Sequence, residues 1–325
     1  MIDQTKVKRE LISIITPMFN EIETIENYRK AITSHIDRLS SDYDYDFEIV
    51  ITDNCSTDLT FERALAWASE DSRVRAFKFS RNFGYQRSIF TGFLQSRGDA
   101  AIELDADLQD PVELLEVFLQ KRREGFKIVY GVRMHRQEGW FITELRKIYY
   151  RTLRAISEDD LPVDAGDFML IDRVVLDQLK LVYDPQIYIR GLVFGLGFRR
   201  IGIPYRRSSR QAGQSKFPFK KLAALAIDGI VGQSVIPLRL ASFSGLFMAF
   251  ATFILSLVYI ALRLMNLVIL PLGFTTTVVL ILLCASMNAL FLGIMGEYLA
   301  RIYQLLRRKP LTVIEERSPE TVRLR

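Results

Sequence analysis

From Leu240 to Leu262 the chain runs for 23 residues without a charge, and from Leu264 to Gly296 it is uncharged again. At about 1.5 Å per residue, 23 helical residues extend about 35 Å, enough to cross a hydrocarbon core of about 30 Å. Pro271-Leu272-Gly273 interrupts the second run, so the predicted spans are Leu240–Leu262 and Phe274–Gly296. Two buried core helices would also read this way, but soluble helices seldom go so long without a charge. Spans joined by a short turn form a hairpin with both outer ends on one side. Lys216, Lys220, Lys221 and Arg239 precede it, Arg301, Arg307, Arg308 and Lys309 follow it, and the turn holds only Arg263. The positive-inside tendency then places both ends, with everything before them, on the cytoplasmic side of a plasma (inner) membrane as a multi-pass protein. Two basic amphipathic stretches, Trp140–Ile156 and Phe217–Val235, have the pattern of helices lying in the headgroup region; an ordinary helix packed on the domain reads equally well for the first, whereas the second leads into the hairpin.

The 325 residues leave room for one ordinary domain of about 200 ahead of the apolar segment. A net charge of +5, from 43 basic and 38 acidic residues, is too weak to point to nucleic acid. The excess crowds Arg199–Lys221 and Arg301–Arg308, where it suits anionic lipid. Cys55 and Cys284 form no disulfide framework, and Met1–Glu10 has no apolar core of a signal peptide.

Before the apolar segment the hydrophobic period alternates. Short β-rich runs occur at Leu11–Thr16, Phe47–Thr52, Val74–Phe79, Ala100–Leu104 and Lys127–Gly131. Helical patterns fill Ile22–Leu39, Leu59–Ser69, Gln86–Ser96 and Pro111–Glu124. This alternation predicts an α/β fold: a mostly parallel sheet with helices on both faces. In such sheets ligands bind beyond the carboxyl ends of the strands. The predicted divisions are residues 1–212 for this domain, 213–235 for an interfacial helix, 236–300 for the two spans and 301–325 for a basic tail.

Three motifs follow predicted strands. Glu103-Leu104-Asp105-Ala106-Asp107-Leu108-Gln109-Asp110-Pro111 is the densest. Carboxylates so close together are costly in a core unless a cation offsets them. Mg²⁺ or Mn²⁺ takes oxygen ligands and shares them with substrate phosphates, stabilising a diphosphate leaving group. A solvated loop ahead of a helix that favours acids is the plainer reading of these residues. Thr16-Pro17-Met18-Phe19-Asn20-Glu21 and Asp53-Asn54-Cys55-Ser56-Thr57-Asp58 sit where an acid can accept hydrogen bonds from a ribose or a base. The second also suits helix capping. No Gly-x-x-x-x-Gly-Lys and no Gly-x-Gly-x-x-Gly is present, which disfavours ATPases and dehydrogenases.

Together these motifs resemble the inverting glycosyltransferase family 2, with its nucleotide-sugar-binding, GT-A-like fold related to the Rossmann fold. Arg81-Asn82-Phe83-Gly84 and Gly98-Asp99 look like that family's linker into the metal strand. Asp164-Ala165-Gly166-Asp167-Phe168-Met169-Leu170, followed by Asp172-Arg173, resembles the acceptor-side motif of its polyprenyl-phosphate branch. Arg207, Arg210, Gly213, Ser215 and Lys216 match that branch's basic motif. The two spans are similar to those of the bacterial subgroup making undecaprenyl-phosphate-linked sugars. The resemblance implies Pro17, Glu21, Asp53 and Asp105 for the nucleotide sugar, and Asp105, Asp107 and Gln109 for Mg²⁺ or Mn²⁺ and the diphosphate. It implies Arg133, Arg146, Arg207, Arg210, Ser215 and Lys216 for the lipid phosphate, and Asp167, Asp107 and Arg210 for catalysis. The chain departs from the family pattern at Asp53-Asn54, where paired acids are common, and at Cys55-Ser56, where Gly-Ser is common. Tyr85-Gln86-Arg87 and Arg97 also replace smaller or apolar residues.

The expected reaction is transfer of a sugar, from UDP-glucose or a similar UDP-sugar, to a polyprenyl phosphate such as undecaprenyl phosphate. The product would supply cell-envelope glycans such as lipopolysaccharide. The acceptor's second pKa of about 6 leaves it largely ionised at neutral pH. Asp167 therefore suits positioning at least as well as general-base work. A small base of two spans is compatible with a homo-oligomer such as a tetramer. A processive polysaccharide synthase shares the nucleotide motifs, but Trp67 and Trp140 lie outside a Gln-x-x-Arg-Trp setting. A non-catalytic partner of a flippase would not need the acidic motifs, and a transporter would place charge within its spans.

Overall fold

The computed structural model describes residues 9–134, 165–184, 187–207, 273–307 and 309–319, with scattered positions between 243 and 265. Two compact units are present. The first comprises Met1–Arg154, Asp159–Lys216 and Lys309–Arg325, and the second Ala155–Glu158 and Phe217–Arg308.

The first unit opens with β1 (Glu10–Met18), α1 (Ile25–Asp42), β2 (Tyr45–Asp53), α2 (Thr60–Glu70), β3 (Val74–Phe79), α3 (Tyr85–Gln95) and β4 (Ala100–Glu103). After these come α4 (Leu114–Arg123), β5 (Ile128–Met134), β6 (Ala165–Asp172), α5 (Arg173–Leu179), α6 (Ile189–Gly195) and β7 (Arg200–Arg206). The last strand, β8 (Ile314–Arg317), follows the long helix α7 (Phe274–Leu306) of the second unit. One eight-stranded sheet runs β7-β5-β6-β4-β1-β2-β3-β8. The pairs β1–β2, β1–β4, β2–β3 and β5–β7 are parallel, while β6 is antiparallel to β4 and β5, and β8 to β3.

Alternation along each strand divides the core between the two faces, because successive side chains point to opposite sides. Ile12 and Ile14 of β1, with Phe47, Ile49 and Ile51 of β2, pack with Tyr28, Ile32, Trp67 and Phe118 of α1, α2 and α4. Ile15 and Val50 face the other way, into Ile89, Phe90, Phe93, Val175 and Val193 of α3, α5 and α6. The result is the expected three-layer α/β arrangement.

Three strands lie outside the predicted set. β7 carries Pro204 and arginines at both ends, as an edge strand tolerates. β6 holds Asp167 and Asp172 within an apolar run. β8, Ile-Glu-Glu-Arg, lies within the predicted basic tail at 301–325: Phe77 pairs with Arg317 and Lys78 with Glu316 on the edge of β3. The Ser80 and Ser318 amides donate to the Val313 and Ala76 carbonyls at 3.0 and 2.8 Å, and the hydroxyls of Thr91 and Thr312 are 2.8 Å apart. A charged edge strand carries almost no hydrophobic alternation, which hides it in the sequence.

In the second unit, α7 covers the predicted span Phe274–Gly296 and continues past it. Within it, Leu283–Ala300 is long and apolar enough to cross a membrane, with mean hydropathy 1.3 and none of it buried. Leu292 is 68% and Leu299 66% exposed. The predicted span Leu240–Leu262 is described only in part; Phe243, Phe247, Ile254 and Val258 in it are helical. Gly245 lies so close to the Phe291 ring that a Cβ there would sit 3.4 Å from it. The stretches Trp140–Ile156 and Phe217–Val235 lie outside the described residues.

Candidate active site

Three loops leave the carboxyl ends of β1, β2 and β4, and each contains a non-glycine residue in left-handed conformation: Asn20 at φ 56°, Cys55 at φ 62° and Leu108 at φ 52°. Such backbone is sparsely populated and persists where its surroundings over-determine it. Here they do. The Asn20 amide donates to Ser56 Oγ at 3.0 Å, and the Thr57 amide returns a bond to Asn20 Oδ1 at 2.8 Å. Asp53 is buried and accepts from both the amide and the hydroxyl of Ser56. Asp58 accepts from the Thr60 amide at the first turn of α2, while the N-cap position itself is Leu59, which makes no side-chain cap bond. Asn54 and Asn82 join the second loop to the approach to α3 through a 3.0 Å side-chain bond.

Between these loops lies a cleft of about 260 Å³ lined by Pro17, Phe19, Glu21, Asn54, Tyr85, Asp105 and Asp107, among others. Asp105 keeps 20% of its side chain exposed. Burial, reinforced by the neighbouring Asp107 charge and relieved in part by the Tyr85 hydrogen bond, pushes its carboxyl up to about 7. The Tyr85 hydroxyl donates to Asp105 Oδ1 at 2.9 Å and lies 3.4 Å from Glu103 Oε1. Glu103 is 1% exposed, and burial together with the Asp105 charge holds its carboxyl well above the usual range.

Basic side chains close the other flank. Tyr205 and Arg207 follow or end β7 and Arg133 lies near the end of β5, so all three emerge at carboxyl ends. All three converge on Asp110, which is 1% exposed. The Tyr205 hydroxyl donates to it, Arg207 Nε lies 3.3 Å away and Arg133 Nη2 3.7 Å away. Arg207 also reaches Asp105 at 3.7 Å. Asp167 reaches the same end of the sheet because β6 runs antiparallel to β4. Gln86 Nε2 donates to its Oδ2 at 3.0 Å. Arg190 Nε stands 3.3 Å from its Oδ1, a charge contact whose alignment does not complete a hydrogen bond. Glu103, Asp105, Asp107, Asp110 and Asp167 thus outnumber the guanidinium groups of Arg133, Arg190 and Arg207. Such a donor set fits an added cation. Among the described residues, no three Asp, Glu, His or Cys side chains are arranged to hold a metal by themselves.

The structure brings some, not all, of the expected residues to the cleft. Pro17, Glu21, Asp105 and Asp107 line it. Asp53 lies beneath the lining with both oxygens taken by Ser56, and Asn54 faces the cleft instead. Gln109 is buried, and its amide donates to Asp107 Oδ1 at 3.0 Å. Arg146, Arg210, Ser215 and Lys216 lie outside the described residues. Asp172 and Arg173, read with the Asp167 motif, belong to the opposite end of β6. There Asp172 pairs with Arg122 at 2.8 Å, and Arg173 donates to the Gly98 carbonyl at 2.7 Å. Their role there is structural. Tyr85 and Gln86 were visible only as departures from the family pattern, and nothing in the sequence singled out Arg190 or Tyr205.

Residues 13–180 match the family model described as Glycosyl transferase family 2. The chain belongs to glycosyltransferase family 2. An uncharacterized glycosyltransferase of Bacillus subtilis (strain 168) is 34% identical over 94% of this chain and 93% of its own length. The bactoprenol glucosyl transferase of Shigella phage SfX is 32% identical, covering 94% of this chain and 99% of the relative. Among solved structures, the family 2 chain is similar to glucosyl-3-phosphoglycerate synthase from Mycobacterium tuberculosis. The identity is 21%, the TM-score 0.47 and the coverage 68% of this chain and 76% of that one. The family match ends at residue 180, short of β7, α7 and β8, whereas the bacterial and phage relatives extend through nearly the whole length.

Proposed function

We propose that this chain transfers a sugar from a nucleoside diphosphate sugar, with UDP-glucose the leading candidate, to a polyprenyl phosphate at the cytoplasmic face of a membrane, inverting the anomeric configuration. The observation that carries this reading is near-full-length similarity to a bactoprenol glucosyl transferase, spanning both the acidic cleft and the apolar C-terminal segment. The cleft supports the donor half. Its acidic wall would hold Mg²⁺ or Mn²⁺ through Asp105 and Asp107, sharing the ion with diphosphate oxygens. When bound, that ion supplies charge stabilisation to the departing nucleoside diphosphate.

The chain's own residues account for the rest. Pro17, Glu21 and Asn54 form the wall for the nucleoside. Arg207, fastened to both Asp105 and Asp110, is placed to offset the charge of a phosphate approaching a diphosphate, and its forked donors favour oxyanions. Arg133 is pinned between Asp110 and Tyr205, so it supports that wall as much as it offers a phosphate contact. Asp167, held by the Gln86 side-chain amide and faced by the Arg190 charge, is suited to orienting the acceptor or the sugar. Arg210, Ser215 and Lys216, which follow Arg207 in the basic motif of the sequence, are assigned to the lipid phosphate by the family resemblance alone. The exposed apolar length of α7, with the uncharged run before it, supports a hairpin that brings the enzyme to its lipid substrate.

The test is incubation of membranes carrying the chain with a panel of nucleotide sugars and undecaprenyl phosphate, followed by mass spectrometry of the lipid fraction. A single sugar on the lipid is expected. A polymer, or no lipid product with any donor, overturns the reading. Asp107→Ala is expected to lower transfer at least a hundredfold, about 2.7 kcal/mol of transition-state stabilisation. Substantial retained transfer overturns the metal-holding role.

A further inference from the structure

Adjacent residues at the start of α3 hold carboxylates from different strands. The Tyr85 hydroxyl bonds Asp105, just beyond β4, and the Gln86 amide nitrogen bonds Asp167 of β6. The other end of the Gln86 amide accepts from the Ile189 amide at 2.9 Å, at the start of α6. The next residue, Arg190, stands against Asp167 and donates to the Ala165 carbonyl at 2.7 Å. One side-chain amide therefore spans α3, β6 and α6. Its nitrogen can only donate and its oxygen can only accept, so the amide has one workable orientation here.

The surroundings make that orientation consequential. Glu103 and Tyr85 face Asp167 from β4 and α3, and Arg190 faces it from α6. A carboxylate swinging toward Glu103 would press its charge on a buried acid already held above the usual range. One swinging toward Arg190 would complete that ion pair and turn away from Gln86. The 3.0 Å amide bond selects between these directions.

We propose that Gln86 is the positioning residue for Asp167, and that with Tyr85 on Asp105 the first turn of α3 links the donor-side carboxylate to the acceptor-side one. This deepens the proposed transfer to a polyprenyl phosphate and rests on it. Gln86 acts through Asp167 and contacts no substrate.

Gln86→Glu separates the two bonds. The replacement has nearly the same volume and can still accept from the Ile189 amide, but it presents a carboxylate to Asp167. In detergent-solubilised full-length protein with undecaprenyl phosphate, Gln86→Glu and Gln86→Leu are both expected to lower kcat for transfer roughly ten- to a hundredfold, the scale of a lost hydrogen bond to a charged group. UDP and Mn²⁺ binding, which also reports folding, is expected to stay within about twofold. Acidification from about pH 8 to about pH 6 should restore part of the Gln86→Glu loss relative to the unchanged chain, because two facing carboxyls then share a proton. Gln86→Leu should show no such recovery. Wild-type kcat in Gln86→Glu, or parallel loss of nucleotide binding and transfer in both variants, overturns the proposal. Should Gln86→Glu not bind nucleotide at all, Gln86→Met, of similar length and without a donor, takes its place with the same expected kcat loss. Absence of lipid product from the unchanged chain overturns the functional reading itself, and is seen before any variant is compared.

Discussion

Asp105 shows how much one carboxyl is asked to do. Its protonation near pH 7 follows from burial beside Asp107, so the metal-free protein carries a proton where a cation is proposed to bind. A metal must displace that proton. Mn²⁺ affinity of the chain in the presence of saturating UDP is therefore expected to rise with pH up to about 7, by as much as tenfold per unit, and to level off above it. Calorimetric titrations at about pH 6 and about pH 8 measure this, and Asp105→Asn should remove both the binding and its pH dependence. The folded state holds the proton between the usual 3.8 and about 7 while the unfolded chain has released it. This group's effect on stability thus grows less favourable as pH rises through that window. At this scale the sequence showed the acids clearly, because clustered carboxylates are conspicuous. Their partners were hidden: a tyrosine, a glutamine and an arginine at positions 85, 86 and 190 carry no pattern until the fold brings them to Asp105 and Asp167. Cys55 is a different case. Its left-handed backbone is one that glycine adopts without strain, which gives a physical reason for the Gly-Ser of the family pattern.

At the scale of elements, the parallel βα units were legible because buried strands and amphipathic helices have different hydrophobic periods. The β6, β7 and β8 strands were not, since charge, proline or edge exposure masks the alternation. Close packing of these elements depends on particular glycines. A Cβ on Gly98 would lie 2.7 Å from three backbone atoms, the Leu11 and Ala100 carbonyl oxygens and the Ser13 amide nitrogen. Backbone cannot swing aside as a side-chain tip can. Gly98→Ala is expected to cost about 3 kcal/mol or more and to lower Tm by about 10 °C, measured by thermal denaturation of the solubilised protein. The site should weaken with it, because Gly98 and Asp99 lead directly into β4, and Asp99 accepts from the Leu11 amide at 2.9 Å.

Taken whole, the molecule sends its chain out of the first compact unit after Lys216 and returns it at Lys309. The return is fastened well beyond the strand itself: the Tyr183 hydroxyl donates to the Lys309 carbonyl at 3.0 Å, and Ser318 bonds both ways with Ala76. Removal of residues 312–325 is expected to leave the β3 edge open, lower Tm by several degrees and promote association through that edge. Light scattering and thermal denaturation measure these effects. The position of β8 also sets an order of events during biosynthesis. One edge strand of the sheet follows α7 in sequence, so the ribosome must finish the whole apolar segment before the sheet can be completed. Completion of the sheet is thereby timed to follow synthesis of that segment, and a chain stalled before β8 would hold every residue that lines the cleft on an unfinished sheet.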